Sequence, residues 1–577
     1  MAGKGQDDGR DNRDNGHDDN MKKYASMMPN RKYAYFRDDQ IVFLVKHPKN
    51  LIPGQQLTKF QVAIDEELIG LKGKFIGKPL QTAVNNEPIG LKSGFIKKPL
   101  EVVSFPKSTR KEIKRSKKYL SSGETEKITS AFSIIKCDLN VATSNPASLL
   151  TTVDGLAKQL TERFQERPIE GVTLVGALPN WLTSVASQAG GTGGPGGRPF
   201  PYFGNPKSAP YVFDIKKQLK EAAGDGIYGD GSDVDVVILD TAPCAQDLVS
   251  AYKECPDHPL ISTLLGPNGK LHLYPATYNE LLRLGCTSLN EHDYKMTDHG
   301  LFIAGIIHSI VPQAEIHLIE VLNQYGVGDL TSFVQGLLKI YTEGIFNRER
   351  KLVINCSWML EYPLDDRHCR HMDLSDDPDA EFEQAVREYS RNDKWTRVML
   401  DSLFDRFFAL GRQAFAAAGN DGRKDDDPRV SARFPAALKS VTGVGALPKS
   451  LTRKGDKKNN YLPTVFSNLS ESADSRGVVT KGVVTLGGEE GEGNGVLGLY
   501  IGEFPGCCHN ETKWAWWSGT SFATPILTGA VASVLSRKGN GVTTTQAAIE
   551  KLYGKGAKII KDGQAGIQEN ALPVTQS

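Results

Sequence analysis

The chain has 577 residues, of which 39% are hydrophobic and 24% charged, with 69 Lys and Arg against 68 Asp and Glu. That length exceeds any single small module and suffices for an enzyme core in two or more domains, while a net charge of +1 gives no reason to expect a nucleic-acid partner or an anionic membrane. Eight cysteines are too sparse for a disulfide scaffold, and the neighbours Cys507 and Cys508 would bridge only through a strained ring, so mostly free thiols are expected.

Residues 1–22 are polar and charged and have too little apolar surface to offset the entropy of ordering, which predicts a disordered tail. They contain no apolar stretch, so they do not read as a secretory signal. No run in the chain approaches the roughly 18 apolar residues of a membrane helix. A cytoplasmic protein with no membrane partner is the expectation.

From residue 23 to 187 the composition is that of a small α+β domain, with strand-like runs at 40–45 and 171–175 and a helix-periodic stretch at 148–167. Residues 61–80 recur as 81–100, a duplication too short for a solenoid and read as a repeated strand pair or loop. The basic stretch 107–118 lacks interleaved aromatics and reads as a solvated helix face. Residues 188–205, rich in Gly and Pro, mark a linker.

Beyond it, in 206–560, short apolar runs at 234–239, 315–321, 352–354, 414–418 and 441–444 alternate with helical patterns. This alternation predicts a doubly wound parallel α/β sheet with helices on both faces. Residues 561–577 read as a C-terminal tail. In such sheets functional groups gather at the carboxyl ends of strands. There the sequence places Asp240 after VDVVIL, His299 at the mouth of an apolar helix, Asn420 after AAAG, and Ser521 beside small residues at a helix start, where backbone N–H groups favour developing negative charge. Singly, each is a common cap or turn.

As a set in this order, VVILDT, HGLFIAG, AAGNDG and GTSFATP, the residues resemble the subtilisin-like serine proteases, the subtilases, over about residues 233–535. The resemblance implies a serine endopeptidase with no cofactor and no metal. A serine hydroxyl is a weak nucleophile until a base takes its proton, so His299 would activate Ser521 and Asp240 would hold the imidazole. Asn420 would supply an oxyanion donor.

The resemblance further implies that Gly326 and Gly328 on one segment, and Ser357 and Trp358 on another, flank an extended protein or peptide substrate, with Gly419 and Arg433 near the specificity pocket. Trp358 and Met359 depart from the family's usual Ser-Leu-Gly. They would either narrow the cleft or pack against the neighbouring insertion. Arg433 would favour an acidic substrate side chain, unless the aspartates at 425–427 neutralise it.

His368, Cys369 and His371 lie close together but lack a fourth zinc ligand, so an exposed loop is expected. Cys356 lies near the cleft in sequence, with inert packing as its default reading. The stretch 176–182 and the linker loosely resemble the end of domains that precede subtilase domains, which implies an N-terminal intramolecular inhibitor or chaperone. A domain for another partner carries equal weight. Two alternatives to the peptidase stand beside it: a catalytically silent subtilase fold used as a binding or scaffold protein, and an esterase.

Overall fold

The computed structural model describes residues 36–47, 91–96, 101–104, 131–141, 146–165, 172–185, 198–213, 228–276, 295–346, 350–362, 394–422, 429–449, 463–470, 482–488, 493–504, 509–552, 558–561 and 568–572, with single positions at 59, 63 and 114. The tail 1–22, most of the duplication and of the basic stretch, His368, Cys369, His371, Asp425 to Asp427, and Cys507 with Cys508 lie outside the described residues.

The N-terminal part is an antiparallel sheet of β1 (Phe36–His47), β2 (Leu91–Ile96), β3 (Glu101–Ser104), β4 (Ala131–Val141) and β5 (Thr173–Val185), with helix α1 (Pro146–Gln165) between the last two. β1 lies centrally, with Phe43 opposite Ile135 of β4 and Ala177 of β5. Helix α1 buries Leu156, Leu160 and Phe164, and the N–H of Ala177 donates to Thr161 Oγ1 at 2.9 Å, which ties helix to sheet. β5 extends well past the apolar run read from sequence. Its Pro179 sits at a register shift of the β1 pairing, where a residue without an N–H is tolerated.

After the two-residue strand β6 (Phe200–Pro201), the chain forms β7 (Val234–Asp240), α2 (Ala245–Glu254), α3 (Pro259–Leu264), β8 (Leu271–Tyr274), α4 (His299–Ile310), β9 (Glu315–Glu320), β10 (Val327–Asp329), α5 (Leu330–Thr342), β11 (Lys351–Cys356), β12 (Trp358–Leu360) and α6 (Lys394–Ala409). Then follow β13 (Ala414–Ala417), β14 (Val441–Leu447), β15 (Val483–Leu486), β16 (Val496–Leu499), β17 (Trp514–Trp517), α7 (Thr520–Ser536), α8 (Thr545–Leu552), β18 (Lys558–Lys561) and β19 (Gln568–Leu572).

The main sheet has nine described strands in the order β18-β19-β15-β14-β13-β11-β7-β9-β8, all parallel except the β18–β19 edge pair. This is the doubly wound α/β fold expected from the sequence. β7 is buried at every position, as a strand covered on both faces must be, and its near-continuous apolar run follows from that. Residues 568–572, read as tail, instead continue the sheet beside β15.

Helix α7 is buried throughout, which accounts for its small, apolar residues on every side. At Gly529 a Cβ would come within 2.9 Å of Ile310 Cδ1, so the glycine sets the close approach of α7 to α4. A third sheet, β16-β17-β6, pairs Phe200 with Trp516 and Pro201 with Ala515. The segment assigned to a linker by composition thus includes a strand laid beside the residues that lead into α7.

Candidate active site

Asp240 ends β7 and His299 begins α4. Their approach depends on Gly300, where a Cβ would stand 2.2 Å from the carbonyl oxygen of Thr241; any side chain would push the helix off the strand end. His299 Nδ1 lies 2.7 Å from Asp240 Oδ1, which also accepts the Thr241 N–H at 2.7 Å. Both side chains are fully buried. The imidazole packs T-shaped with Trp517, at 5.4 Å between ring centroids, and tilted against Phe522, at 5.3 Å. Its Nε2 and the second oxygen of Asp240 have no hydrogen-bond partner.

Ser521 is the second residue of α7, and its Oγ donates to the carbonyl oxygen of Ser357 at 3.0 Å. One turn later Pro525 lacks the N–H that would bond the Ser521 carbonyl. Ser357 Oγ fills that gap at 2.8 Å and itself accepts from Asn355 Nδ2 at 2.9 Å, while Thr528 Oγ1 donates to Asn355 Oδ1 at 3.0 Å. The Ser357 expected to line a substrate groove therefore also anchors the turn that carries Ser521.

Asn420 follows β13, with its Oδ1 accepting from Thr520 N at 3.0 Å and Thr520 Oγ1 at 2.9 Å. Its Nδ2 stands 3.2 Å from where a Cβ on Gly519 would be. Gly419 adopts φ +113°, and a Cβ there would meet Asn468 Nδ2 at 2.5 Å, so only glycine fits.

Between the two segments that the resemblance assigns to an extended substrate lies a strand of the chain itself. The end of β5 runs antiparallel between them: Ser184 faces Val327 and Thr183 faces Gly328 on β10, while Val185 faces Trp358 and Ser184 faces Met359 on β12. The Val185 N–H donates to the Gly326 carbonyl at 2.9 Å. At Gly328 a Cβ would lie 2.3 Å from the Val321 carbonyl and 2.7 Å from Thr183 Oγ1. The Trp358 ring lies 4.5 Å from the ring of Phe333, which stacks on Phe404 of α6. It packs towards the neighbouring insertion.

Arg433 is buried and forked onto Asp421, Nε to Oδ2 at 2.7 Å and Nη2 to Oδ1 at 2.6 Å, with Nη1 3.4 Å from Glu361 Oε2. Glu361 in turn accepts a hydrogen bond from Ser184 Oγ of β5. Burial pushes the Glu361 carboxyl above the ordinary range despite the opposing pull of Arg433. Asp421 and Glu361 escaped the sequence reading because neither stands in a pattern of its own; Asp421 reads as turn chemistry. Burial likewise raises the Cys356 thiol, which leaves it protonated and inert. No group of three or more potential metal ligands occurs among the described residues, and no described helix is long and apolar enough to cross a membrane.

Among protein families, the Subtilase family matches residues 267–570, more than half of the chain. The match takes in His299, Asn420 and Ser521 and begins after Asp240, whose place beside His299 rests on the geometry. No curated protein matches. The parallel α/β sheet and the matched span agree: the chain belongs to the subtilase family of serine peptidases, hydrolases that act on proteins or peptides.

Proposed function

We propose that the chain is a serine endopeptidase that uses Ser521 as nucleophile, His299 as base and Asp240 as its orienting carboxylate, and that its N-terminal domain holds it inactive from within. The observation that carries the catalytic half is the 2.7 Å bond between His299 Nδ1 and Asp240 Oδ1. With Nδ1–H donated to the carboxylate, Nε2 keeps its lone pair free, and it has no partner. In the reaction Nε2 takes the Ser521 proton as Oγ attacks the peptide carbonyl, and the imidazolium that forms is stabilised by Asp240, which stays ionised.

The tetrahedral oxyanion then accepts from Asn420 Nδ2 and the Ser521 N–H. Collapse expels the amine, which receives its proton from His299. Water, deprotonated by the same histidine, hydrolyses the acyl-enzyme. No metal or cofactor enters these steps.

The inhibitory half is supported by β5, which fills the groove as an antiparallel strand, the binding mode of an extended peptide. Covalent attachment gives it an effective concentration on the order of millimolar. The chain leaves the groove at Val185 and is next described at Arg198, shortly before Phe200 and Pro201 pair with β17. Self-cleavage, where it occurs, is expected between those points.

Peptide hydrolysis by the full chain, by Ser521→Ala and by a chain whose β5 is displaced tests the reading. Hydrolysis that depends on Ser521 and rises on displacement supports it. The silent-scaffold alternative draws on the hydrogen bond of Ser521 to Ser357 rather than to His299, and it predicts no hydrolysis even after displacement.

A further inference from the structure

Seen from the sequence, Arg433 alone suggests a pocket for acidic side chains. The structure surrounds it with two carboxylates. Asp421 takes the fork of the guanidinium through two short bonds, and Asn468 Nδ2 donates to the same carboxylate at 2.7 Å, which fixes that pair. Glu361 approaches the remaining nitrogen only at 3.4 Å, so its own charge is less fully met. One cation thus serves two buried acids, and the oxygen of Glu361 that does not face Arg433 is the one turned to the strand in the groove, where Ser184 Oγ donates to it.

Backbone pairing holds Glu361 in place for this contact. Its N–H donates to the Leu182 carbonyl at 2.8 Å, and the N–H of Leu360 donates to the Phe434 carbonyl at 2.8 Å, next to Arg433. Ser184 is fully buried. A side chain at its place therefore meets a fixed carboxylate oxygen in a site shielded from water.

We propose that Glu361, anchored by Arg433, reads the residue lying at the place of Ser184 in any peptide that enters this groove, selecting side chains that donate a hydrogen bond, hydroxyls and cations, and rejecting carboxylates. The proposal rests on the reading of this groove as the substrate cleft. An apolar residue there leaves a buried acceptor unpaired. An acidic one sets carboxylate against carboxylate in a low-dielectric site.

The test uses the full chain with Ser521→Ala, so that its outcome does not depend on catalysis, and reads hydrogen exchange of the amides at 182–185, with those of β7 as the measure of intact folding. Ser184→Ala is expected to speed exchange in β5 about tenfold and Ser184→Asp about a hundredfold. Ser184→Lys stays close to the parent. Adding Glu361→Gln to Ser184→Asp recovers most of the loss.

Exchange in Ser184→Asp equal to the parent, or unchanged by Glu361→Gln, overturns the proposal. Where Ser184→Asp also loses protection in β7, the comparison of Ser184→Lys with Ser184→Leu decides: slower exchange for Lys supports the proposal, and equal or faster exchange contradicts it. Loss of hydrolysis by the wild-type chain would count against the catalytic reading alone.

Discussion

Ser521 Oγ donates to the carbonyl oxygen of Ser357 at 3.0 Å, while the Nε2 of His299, the atom that would take its proton, has no partner. The two buried side chains are thus not hydrogen-bonded to each other, and β5 lies paired between β10 and β12. Displacing β5 is expected to free the site for substrate. Val185→Asp puts a charge into a fully buried position between β10 and β12; it should raise the rate of peptide hydrolysis about tenfold or more relative to wild type. A rate equal to wild type, with the variant folded, would mean that β5 does not control access.

Asp240→Asn preserves the shape of the buried carboxylate but loses the charge that stabilises imidazolium and can fix the wrong imidazole tautomer. A fall in kcat on the order of 10⁴ is expected, with KM little changed, because Asp240 is fully buried against His299. A KM effect of the same size would assign Asp240 to binding.

Asn420→Ala should lower kcat by about 10² to 10³ at nearly constant KM. Thr520 is expected to act through Asn420 as a positioning residue, since its N–H and hydroxyl both donate to Oδ1. Thr520→Val keeps the backbone donor and removes the other, so a loss of roughly tenfold in kcat is expected. In an Asn420→Ala background the same change should have little further effect. Full additivity would show that Thr520 acts elsewhere.

His258 caps α3, its Nδ1 accepting the N–H groups of Leu260 and Ile261 at 3.2 Å, and burial lowers its pKa from 6.5 to about 4. The unfolded chain therefore binds a proton first as pH falls. Stability from this neutral histidine is complete above about 6.5 and is lost as pH drops towards 4, by roughly 3 kcal/mol. His258→Asn retains a capping oxygen without the titration. Urea unfolding followed by Trp fluorescence should show the wild type losing ground to this variant between pH 6.5 and 4; parallel curves would contradict the assignment.

Asp298 has the opposite sign. Burial raises its pKa to about 6, although its Oδ2 accepts the N–H groups of Ile501 and Gly502. The folded chain holds this proton where the unfolded chain releases it. Its contribution is full below about pH 4 and is lost as pH rises through 6, by about 3 kcal/mol. Asp298→Asn mimics the protonated acid, so its stability relative to wild type should rise across that interval. A constant difference across it would contradict the shift.

The main sheet was legible because a parallel strand covered on both faces reads as an unbroken apolar run, and 234–239 is such a run. Asp240, His299, Asn420 and Ser521 stood out as candidates because each lies at or just past a strand end or at a helix start in a recognisable motif. The half of β5 that pairs with β10 and β12 was not legible. Its residues, with Pro179 among them, become a strand only by pairing with β1, β10 and β12, partners distant in sequence and carrying no local signal. For the same reason 200–201 read as linker and 568–572 as tail. Arg433 was visible as a charge, but its meaning depended on Asp421 and Glu361, brought to it by the fold.

Whether Ser521 is a nucleophile held behind β5 is tested by labelling the full chain, Ser521→Ala, His299→Ala and Val185→Asp with a fluorophosphonate probe, read on a denaturing gel. Labelling of the wild type, faster labelling of Val185→Asp, and none of the Ser521 and His299 variants on the same timescale are expected. Equal labelling of Ser521→Ala, or no labelling of a folded Val185→Asp chain, would contradict this reading.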